Sequence, residues 1–152
     1  MKRRLAREIA LQCLYQMDMN DEVLPSAAID MVIHEAQNDN ESDLQLEGET
    51  FSTDYVKTLV EGTHRHKEEI DQLLVEYLKG WQMDRLSRVD LAVLRLAVYE
   101  MNYREDVPDK AAVNEAIELA KRFGSEESGK FINGILGQML KKRHFTVKGE
   151  TE

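Results

Sequence analysis

Three arginines and a tyrosine near the N-terminus are the side chains best suited to bind a ligand by charge and by stacking. Arg3, Arg4 and Arg7 fall close together on one predicted helix, and Tyr15 follows further along it. Guanidinium groups pair with phosphates, and a tyrosine ring offers a face on which a nucleic-acid base can stack. The pattern favours nucleic-acid binding, but a solvated basic N-terminus explains it about equally well.

A second group of such side chains lies at the start of the last predicted helix, within residues 128–133. The N–H groups at a helix N-terminus attract phosphate, and Lys130 adds a positive charge there. Phe131 and Asn133 could contact a base. The spacing of Phe131 from Ile135 is also that of a core position, and on pattern alone the core interpretation is favoured for Phe131.

Charge is segregated along the chain. The 152 residues include 20 Lys and Arg and 29 Asp and Glu, which gives a formal net charge of −9. Residues 1–15 carry a net charge of +3 and residues 141–152 carry +2, so residues 16–140 carry −14. An acidic protein binds a polyanion where it gathers its cations, which restricts a nucleic-acid site to the basic segments.

No arrangement of nucleophiles, acids or metal ligands in the sequence supports catalysis. His64 and His66 point about 200° apart on a helix and cannot share a metal ion. Cys13 falls on an apolar helix face, where we expect an inert core thiol. The chain has no glycine-rich phosphate loop, and its many carboxylates are explained by solvated faces. We expect no enzymatic activity, no cofactor and no metal site.

The composition favours a soluble, helical protein of the cytoplasm. Two prolines and eight glycines leave long uninterrupted stretches rich in helix-forming residues. No apolar run approaches the roughly 20 residues of a transmembrane helix, and the basic N-terminus lacks the apolar stretch of a signal peptide. A single cysteine excludes an internal disulfide and fits a reducing compartment.

Helices must position these side chains. Apolar residues recur at helical spacing from Ala6 to Met17, which predicts a first helix over residues 3–19 with the arginines beside its apolar face and largely outside it. Further helices are predicted over residues 26–37, over 53–79 with a bend or split at Gly62-Thr63, and over 89–103 with Ser87 as its N-cap.

The C-terminal third continues this pattern. Pro108 is expected in the first turn of the next helix, which Gly124 closes, and Ser125 or Ser128 caps the last helix. Gly134 and Gly137 lie inside that last helix, where each costs roughly 1 kcal/mol relative to alanine, so we expect them to allow another helix to approach closely. Residues 37–50, with five acids and no base, predict an exposed loop.

Several sequence blocks resemble the NusB family of bacterial transcription antitermination factors. They lie at residues 3–7, 10–15, 86–100, 106–108, 114–121, 123–124 and 128–134. The blocks follow the order of the family and span nearly the whole chain, which makes the resemblance highly specific.

The resemblance implies an all-α fold of two antiparallel three-helix bundles with an additional N-terminal helix element between them. It implies a single NusB-like RNA-binding domain over residues 1–145, with helical subdomains at about 1–80 and 81–145 and a tail at 146–152. It also implies a non-catalytic factor that binds the boxA segment of ribosomal-RNA leader and antitermination transcripts. The implied partners are ribosomal protein S10 (NusE) and an RNA polymerase antitermination complex.

The resemblance also implies which residues bind RNA. The matching positions of the family's RNA surface are Arg3, Arg4, Arg7, Tyr15, Lys130 and Phe131, with Glu127, Asp90 and Arg95 close to the same surface. Leu5 stands in a segment that is often more fully basic in the family, which lowers the RNA affinity we expect. Phe131 is thereby reassigned, in part, from the core to the RNA surface.

Two other functions remain open at this point. One is an RNA-binding module of the kind fused to ribosomal-RNA methyltransferases. The other is a helical protein-interaction or dimerisation module whose basic N-terminus is incidental. Whether the free protein forms a homodimer that hides the RNA surface is also open. A gel shift on boxA and scrambled RNA, with and without S10, separates these functions.

Overall fold

The computed structural model describes residues 3–38, 53–78 and 86–142, and every regular element in these ranges is an α-helix. This confirms the all-α prediction. Of the predicted loop over residues 37–50, residues 37 and 38 are helical instead, and residues 39–50 lie outside the described residues, as does the tail at 146–152. The helices are α1 (Arg3–Met19), α2 (Pro25–Asn38), α3 (Thr53–Arg65), α4 (Lys67–Leu78), α5 (Arg88–Tyr103), α6 (Asp109–Phe123) and α7 (Glu126–Lys142).

The chain divides into two compact units, Met1–Arg65 and His66–Glu152. In the described ranges the first unit holds α1 to α3 and the second holds α4 to α7. The division comes earlier than the expected one near residue 80, because α4 packs on α5 and α7. The arrangement of two three-helix bundles and the single RNA-binding domain over residues 1–145 stay predictions.

The long helix predicted over residues 53–79 is divided into α3 and α4. The break falls at His66, and the expectation of a break at Gly62-Thr63 was wrong. Gly62 and Thr63 are buried within α3. The break therefore coincides with the boundary between the two units.

In the first unit, α1 packs against both α2 and α3. Its Ile9, Ala10 and Cys13 are fully buried, as their i, i+1 and i+4 spacing on one face predicts. Burying a side chain such as isoleucine stabilises the fold by roughly 1.5–3 kcal/mol. The helix that carries the basic N-terminus is thus anchored along most of its length.

In the second unit, α5 is the central helix and packs against α4, α6 and α7. Every residue from Leu91 to Met101 is buried except Arg95, which agrees with its prediction as a helix packed on several sides. Ser87 is its N-cap, as predicted, and the Ser87 hydroxyl accepts a hydrogen bond of 3.0 Å from the Asp90 N–H.

The ends of α6 and α7 follow the sequence closely. Pro108 is the N-cap of α6, one position before the expected first turn, and Gly124 is its C-cap. Ser125 starts α7, because its hydroxyl accepts a hydrogen bond of 3.1 Å from the Ser128 N–H. Of the two caps that the sequence offered, Ser125 is therefore the one used.

The glycines inside α7 do not behave as predicted. A Cβ on Gly134 would meet no described atom within 4 Å, and one on Gly137 would meet only Asn133 Oδ1 of the same helix, at 3.9 Å. The close approach occurs instead at the buried Gly129, where a Cβ would lie 2.8 Å from Lys121 Cγ on α6. The reason is orientation, since Gly134 is exposed whereas Gly129 faces α6.

Candidate nucleic-acid interface

The arginine patch (Arg3, Arg4 and Arg7) lies on the first two turns of α1. Helix geometry puts the three residues within an arc of roughly 100°. Arg4 is exposed and Arg3 is half-buried, whereas the side chain of Arg7 is buried, at 6% exposure. The exposure of the three arginines therefore decreases from Arg4 at the surface to Arg7 in the interior.

Arg3 is held by an aromatic ring. Its Cζ lies 4.9 Å from the centroid of the Tyr55 ring on α3, and Tyr55 is itself buried. A guanidinium over a tyrosine ring is attracted by the electrons of the ring face. This contact fixes the position of a cation at the surface of the first unit.

The burial of Arg7 corrects the sequence analysis, which placed all three arginines largely outside the apolar face. Buried residues run without a break from Leu5 to Leu11, and Glu8 is included at 9% exposure. The covered face is wider than the spacing suggested because both α2 and α3 pack on α1. Arg7 is engaged by other groups of the protein.

Tyr15 lies on the same flank of α1 as Arg4, eleven residues further along. At 1.5 Å per residue this separates the two residues by roughly 16 Å along the helix axis. The side chain of Tyr15 is half-buried, so part of its ring meets solvent. This side of α1 thus presents a cation near its start and an aromatic ring near its end.

The second candidate group lies in the first turns of α7 and comprises Glu127, Lys130 and Phe131. Lys130 Nζ lies 3.7 Å from Glu127 Oε1, and the two side chains are 76% and 85% exposed. An ion pair this exposed contributes little, so the charge of Lys130 remains accessible. Phe131 is half-buried, between the core position that its spacing favours and the surface position that the family resemblance implies.

The N-terminus of α7 is less suited to phosphate than the sequence suggested. The N–H of Ser128 donates to the Ser125 hydroxyl, and the N–H of Gly129 donates to the Ser125 carbonyl at 3.1 Å. Glu126 and Glu127 stand in the first turn, where their charge offsets the positive end of the helix dipole. Any attraction for phosphate here therefore rests mainly on Lys130.

Arg95 is tied to α4 within the second unit. Its Nε and Nη2 donate to Asp71 Oδ1 and Oδ2 at 2.8 and 2.9 Å, and the two side chains are 12% and 24% exposed. This bidentate geometry orients the guanidinium toward α4. Sequence reasoning missed Asp71, because nothing local links residues 24 positions apart.

Asp90 has a structural place at the start of α5. Its N–H is held by Ser87, and its carboxylate lies in the first turn, where an acid suits the helix dipole. Its Oδ1 is buried and has no hydrogen-bond partner within the part of the chain that the structure describes. Asp90 thus sits at a helix end with an unsatisfied acceptor.

An aromatic stack in the second unit escaped the sequence analysis. The rings of His66 and Tyr103 are 4.0 Å apart, and Tyr99 stacks on Tyr103 at 5.6 Å. The Tyr103 hydroxyl donates to Glu69 Oε2 at 2.7 Å, and His66 Nδ1 lies 3.4 Å from the same oxygen. The sequence did contain a signal for this contact, because Tyr99 and Tyr103 are four residues apart and so are neighbours on the surface of α5.

The contact between Glu69 and Tyr103 shifts the pKa of both groups. The pKa of Glu69 is lowered, first by the hydrogen bond from Tyr103 and then by His66. The pKa of Tyr103 is raised, first by burial and then by its bond to the carboxylate. Elsewhere, burial raises the pKa of Cys13 to about 12, which fits the prediction of an inert core thiol.

None of the described helices is both long and apolar enough to cross a membrane.

Comparison with known proteins gives the same family at the level of sequence and of fold. The sequence matches the NusB family over residues 4–141. The transcription antitermination protein NusB of Clostridium botulinum is 43% identical over 141 residues, which cover 92% of this chain and all of the relative.

Solved structures agree with the sequence comparison. NusB of T. maritima superposes with a TM-score of 0.77 at 30% identity, covering 97% of this chain and 99% of that one. A crystal structure of the antitermination factors NusB and NusE in complex with dsRNA gives a TM-score of 0.74 at 28% identity, covering 92% and 96%.

Proposed function

This chain belongs to the NusB family, and from that premise we propose that it is a non-catalytic, RNA-binding transcription antitermination factor that acts with ribosomal protein S10. The observation that supports this proposal most directly is the arginine patch, which identifies particular residues as RNA contacts. One arginine there is exposed, and a second is held on a buried tyrosine. Cations held in place before RNA arrives lose little conformational freedom on binding.

In this proposal the RNA is a single-stranded boxA segment. Arg3, Arg4 and Lys130 contact its phosphates, and Tyr15 and Phe131 contact its bases. Arg7 supports the patch from within α1, since its side chain is buried.

The three remaining candidates act at the edge of this surface. Glu127 lies 3.7 Å from Lys130 and gives up this loose pair when Lys130 contacts phosphate. Asp90 contributes a buried acceptor at the start of α5, and Arg95 contacts RNA after exchanging its partner Asp71 for a phosphate.

The partners follow from charge and from family membership. Residues 16–140 carry a net charge of −14, which suits a basic ribosomal protein such as S10. If S10 also touches the RNA, the second attachment raises affinity by effective concentration. We place the pair in an RNA polymerase antitermination complex in the cytoplasm, where the protein acts as an adaptor.

A salt titration with alanine variants of two candidate cations, and of one control lysine, tests the RNA site. The probe is boxA RNA, with scrambled RNA of the same composition beside it, and binding is measured by fluorescence anisotropy with and without S10. Lys130→Ala and Arg4→Ala should each weaken boxA binding severalfold and reduce the slope of log K against log salt by about 0.7, the value for one single-strand phosphate contact. The control Lys110→Ala removes an exposed lysine of α6 and should leave both quantities unchanged.

Two results would contradict the assignment. Unchanged affinity and slope in Arg4→Ala and Lys130→Ala would remove these residues from the RNA surface. Equal binding of boxA and scrambled RNA, even with S10 present, would leave only nonspecific attraction.

A homodimer is the competing state of the free protein in this proposal. A dimer that covers the arginine patch would dissociate as RNA is added, so sedimentation equilibrium should show a fall in mass on titration with boxA. A mass that is monomeric throughout would exclude this state.

A further inference from the structure

Exposed large apolar side chains are concentrated in one short stretch of the first unit. Of the five such side chains in the described ranges, three lie between residues 19 and 31. They are Met19, Leu24 and Met31, at 55%, 66% and 43% exposure. We call these three residues the α2 stripe. Single exposed apolar residues are ordinary, but a group of them marks an interaction surface.

A closed turn brings the two ends of the α1–α2 connection together. The Val23 N–H donates to the Asn20 carbonyl at 3.1 Å, and the Glu22 N–H donates to Asn20 Oδ1 at 3.1 Å. In such a turn the first and last Cα atoms are less than about 7 Å apart. Met19 and Leu24 directly flank this turn, so their backbones are held near each other.

Leu24 and Met31 belong to one side of α2. The Leu24 carbonyl accepts the first helical hydrogen bond, from the Ala28 N–H at 3.0 Å, so Leu24 stands at the helix start. Seven residues later, Met31 lies within about 20° of it around the helix axis. The core side of the same helix is occupied by Ala28, Ile29 and Val32, which are buried. Leu24 and Met31 therefore form the exposed border of this core face, about 40–60° around the helix axis from Ala28.

The stripe lies in a part of the sequence without basic side chains. Residues 8–56 contain twelve Asp and Glu and no Lys or Arg. The acids among the described residues around the stripe are Asp18, Asp21, Glu22, Asp30 and Glu35. An apolar face within uniform negative charge selects its occupant by sign.

We propose that the α2 stripe docks a basic protein segment that carries apolar side chains at helical spacing among lysines and arginines. Leu24 and Met31 would pack against its apolar side chains, and Asp30 and Glu35 would face its cations. RNA is repelled by this surface, and a second copy of the same face would bring like charges together.

The inference goes beyond the proposed RNA site, because it assigns a different surface to a protein segment and names the apolar side chains that would hold it. Arg4 and Met19 lie near opposite ends of α1, separated by roughly 22 Å along the axis. A protein segment on the stripe and RNA on the arginine patch could therefore be bound at the same time, which suits an adaptor.

The test uses the full chain and two synthetic amphipathic peptides, each about five helical turns long. One combines leucine with lysine, and the other combines leucine with glutamate at the same positions. Binding is measured by fluorescence anisotropy at several salt concentrations. The Leu24→Ser/Met31→Ser variant should bind the lysine peptide about tenfold more weakly, because two apolar anchors are lost.

Matched variants separate the apolar and charged contributions. Val75→Ser alters an equally exposed apolar residue of the second unit, 59% exposed, and should bind the lysine peptide like the parent chain. Asp30→Asn/Glu35→Gln should weaken binding and flatten its salt dependence. None of the three variants should unfold at a lower temperature than the parent chain, since the altered side chains are exposed.

Three outcomes would overturn the proposal. Lysine-peptide binding that is absent, or unaffected by Leu24→Ser/Met31→Ser, would remove the stripe as its site. Equal binding of the glutamate peptide would show that charge does not select the occupant. A fall in the mass of the free protein caused by Leu24→Ser/Met31→Ser would make the stripe a self-association face.

The same samples are assayed on boxA RNA to keep this proposal separate from the RNA site. Leu24→Ser/Met31→Ser should leave boxA affinity unchanged. A loss of boxA binding alongside lysine-peptide binding would show one shared site and contradict the inference.

Discussion

The two units hold their candidate RNA-binding cations in different ways. In the first unit Arg7 is buried and Arg3 lies on the buried ring of Tyr55, so packing fixes the cations. In the second unit Lys130 is 76% exposed and has a loose pair with Glu127. Fixed cations couple RNA binding to the stability of the fold, whereas a solvated lysine contributes to binding without contributing to stability.

The largest effect expected from this comparison is on stability. Arg7→Ala should lower the free energy of unfolding by about 3 kcal/mol, because it removes a buried guanidinium that other groups of the protein engage. Lys130→Ala should change it by less than about 0.5 kcal/mol. Urea unfolding followed by circular dichroism measures both. If the two variants proved equally stable, the contrast between the units would fail.

Arg95 departs from this contrast, because it is a cation of the second unit that a bidentate ion pair with Asp71 holds in place. Arg95→Ala should cost about 2 kcal/mol, because it leaves Asp71 half-buried without its bidentate partner. The double variant Asp71→Ala/Arg95→Ala should be less destabilised than the sum of the single variants, and urea unfolding of all three gives the coupling. Additive effects would mean that the pair is not what holds Arg95.

The RNA affinity of Asp71→Ala sharpens the same comparison. The substitution releases Arg95 from its carboxylate, so boxA binding should strengthen if Arg95 reaches phosphate, as we propose. Unchanged boxA binding in an anisotropy titration would make Arg95 a structural residue only.

The outer side of α7 should tolerate added bulk. Gly134→Ala should stabilise the protein by about 0.5–1 kcal/mol, since alanine is the better helix former and its Cβ would meet no described atom within 4 Å. Gly129→Ala should gain less, or lose stability, because Lys121 must move aside. The melting temperatures of the two variants give the comparison, and the reverse order would mean that Gly134 is the packed position.

The smallest effect expected is the pH dependence of Tyr103→Phe. The pKa of Glu69 is lowered from its ordinary 4.5, so its share of stability is present above that value and lost as the pH falls through the folded pKa. The pKa of Tyr103 is raised from 10.0, so its share is lost as the pH rises through the higher folded value. The melting temperature of Tyr103→Phe should therefore be lower than that of the parent chain between about pH 5 and 10, and the two should converge at both extremes. A difference that persisted unchanged at both pH extremes would exclude the hydrogen bond as its cause.

Local patterns in the sequence predicted the helices well. The first helix has the bounds expected from its apolar spacing, and α5 begins one residue early with Ser87 as its cap. These features depend on residues within one or two turns of each other. An apolar repeat and a capping hydroxyl are visible in the sequence without knowledge of what packs against them.

Features set by contacts between distant residues were missed or mistaken. The wheel of α1 placed Arg7 outside the core because it could not show that two helices cover that side. The partner of Arg95 lies 24 residues away, and the open surroundings of Gly134 depend on how α7 is turned. The RNA-binding roles of all nine candidate residues stay predictions, because no contact within the protein reports on a ligand.

The cap at the start of α7 has a consequence for the timing of RNA binding. Ser125 already accepts the Ser128 and Gly129 N–H groups, so an incoming strand meets mainly the side-chain charge of Lys130 there and fewer backbone donors. Charge of this kind accelerates encounter more than it prolongs residence. We expect Lys130 to govern how fast RNA arrives, and the ordered guanidinium of Arg3 to govern how long it stays.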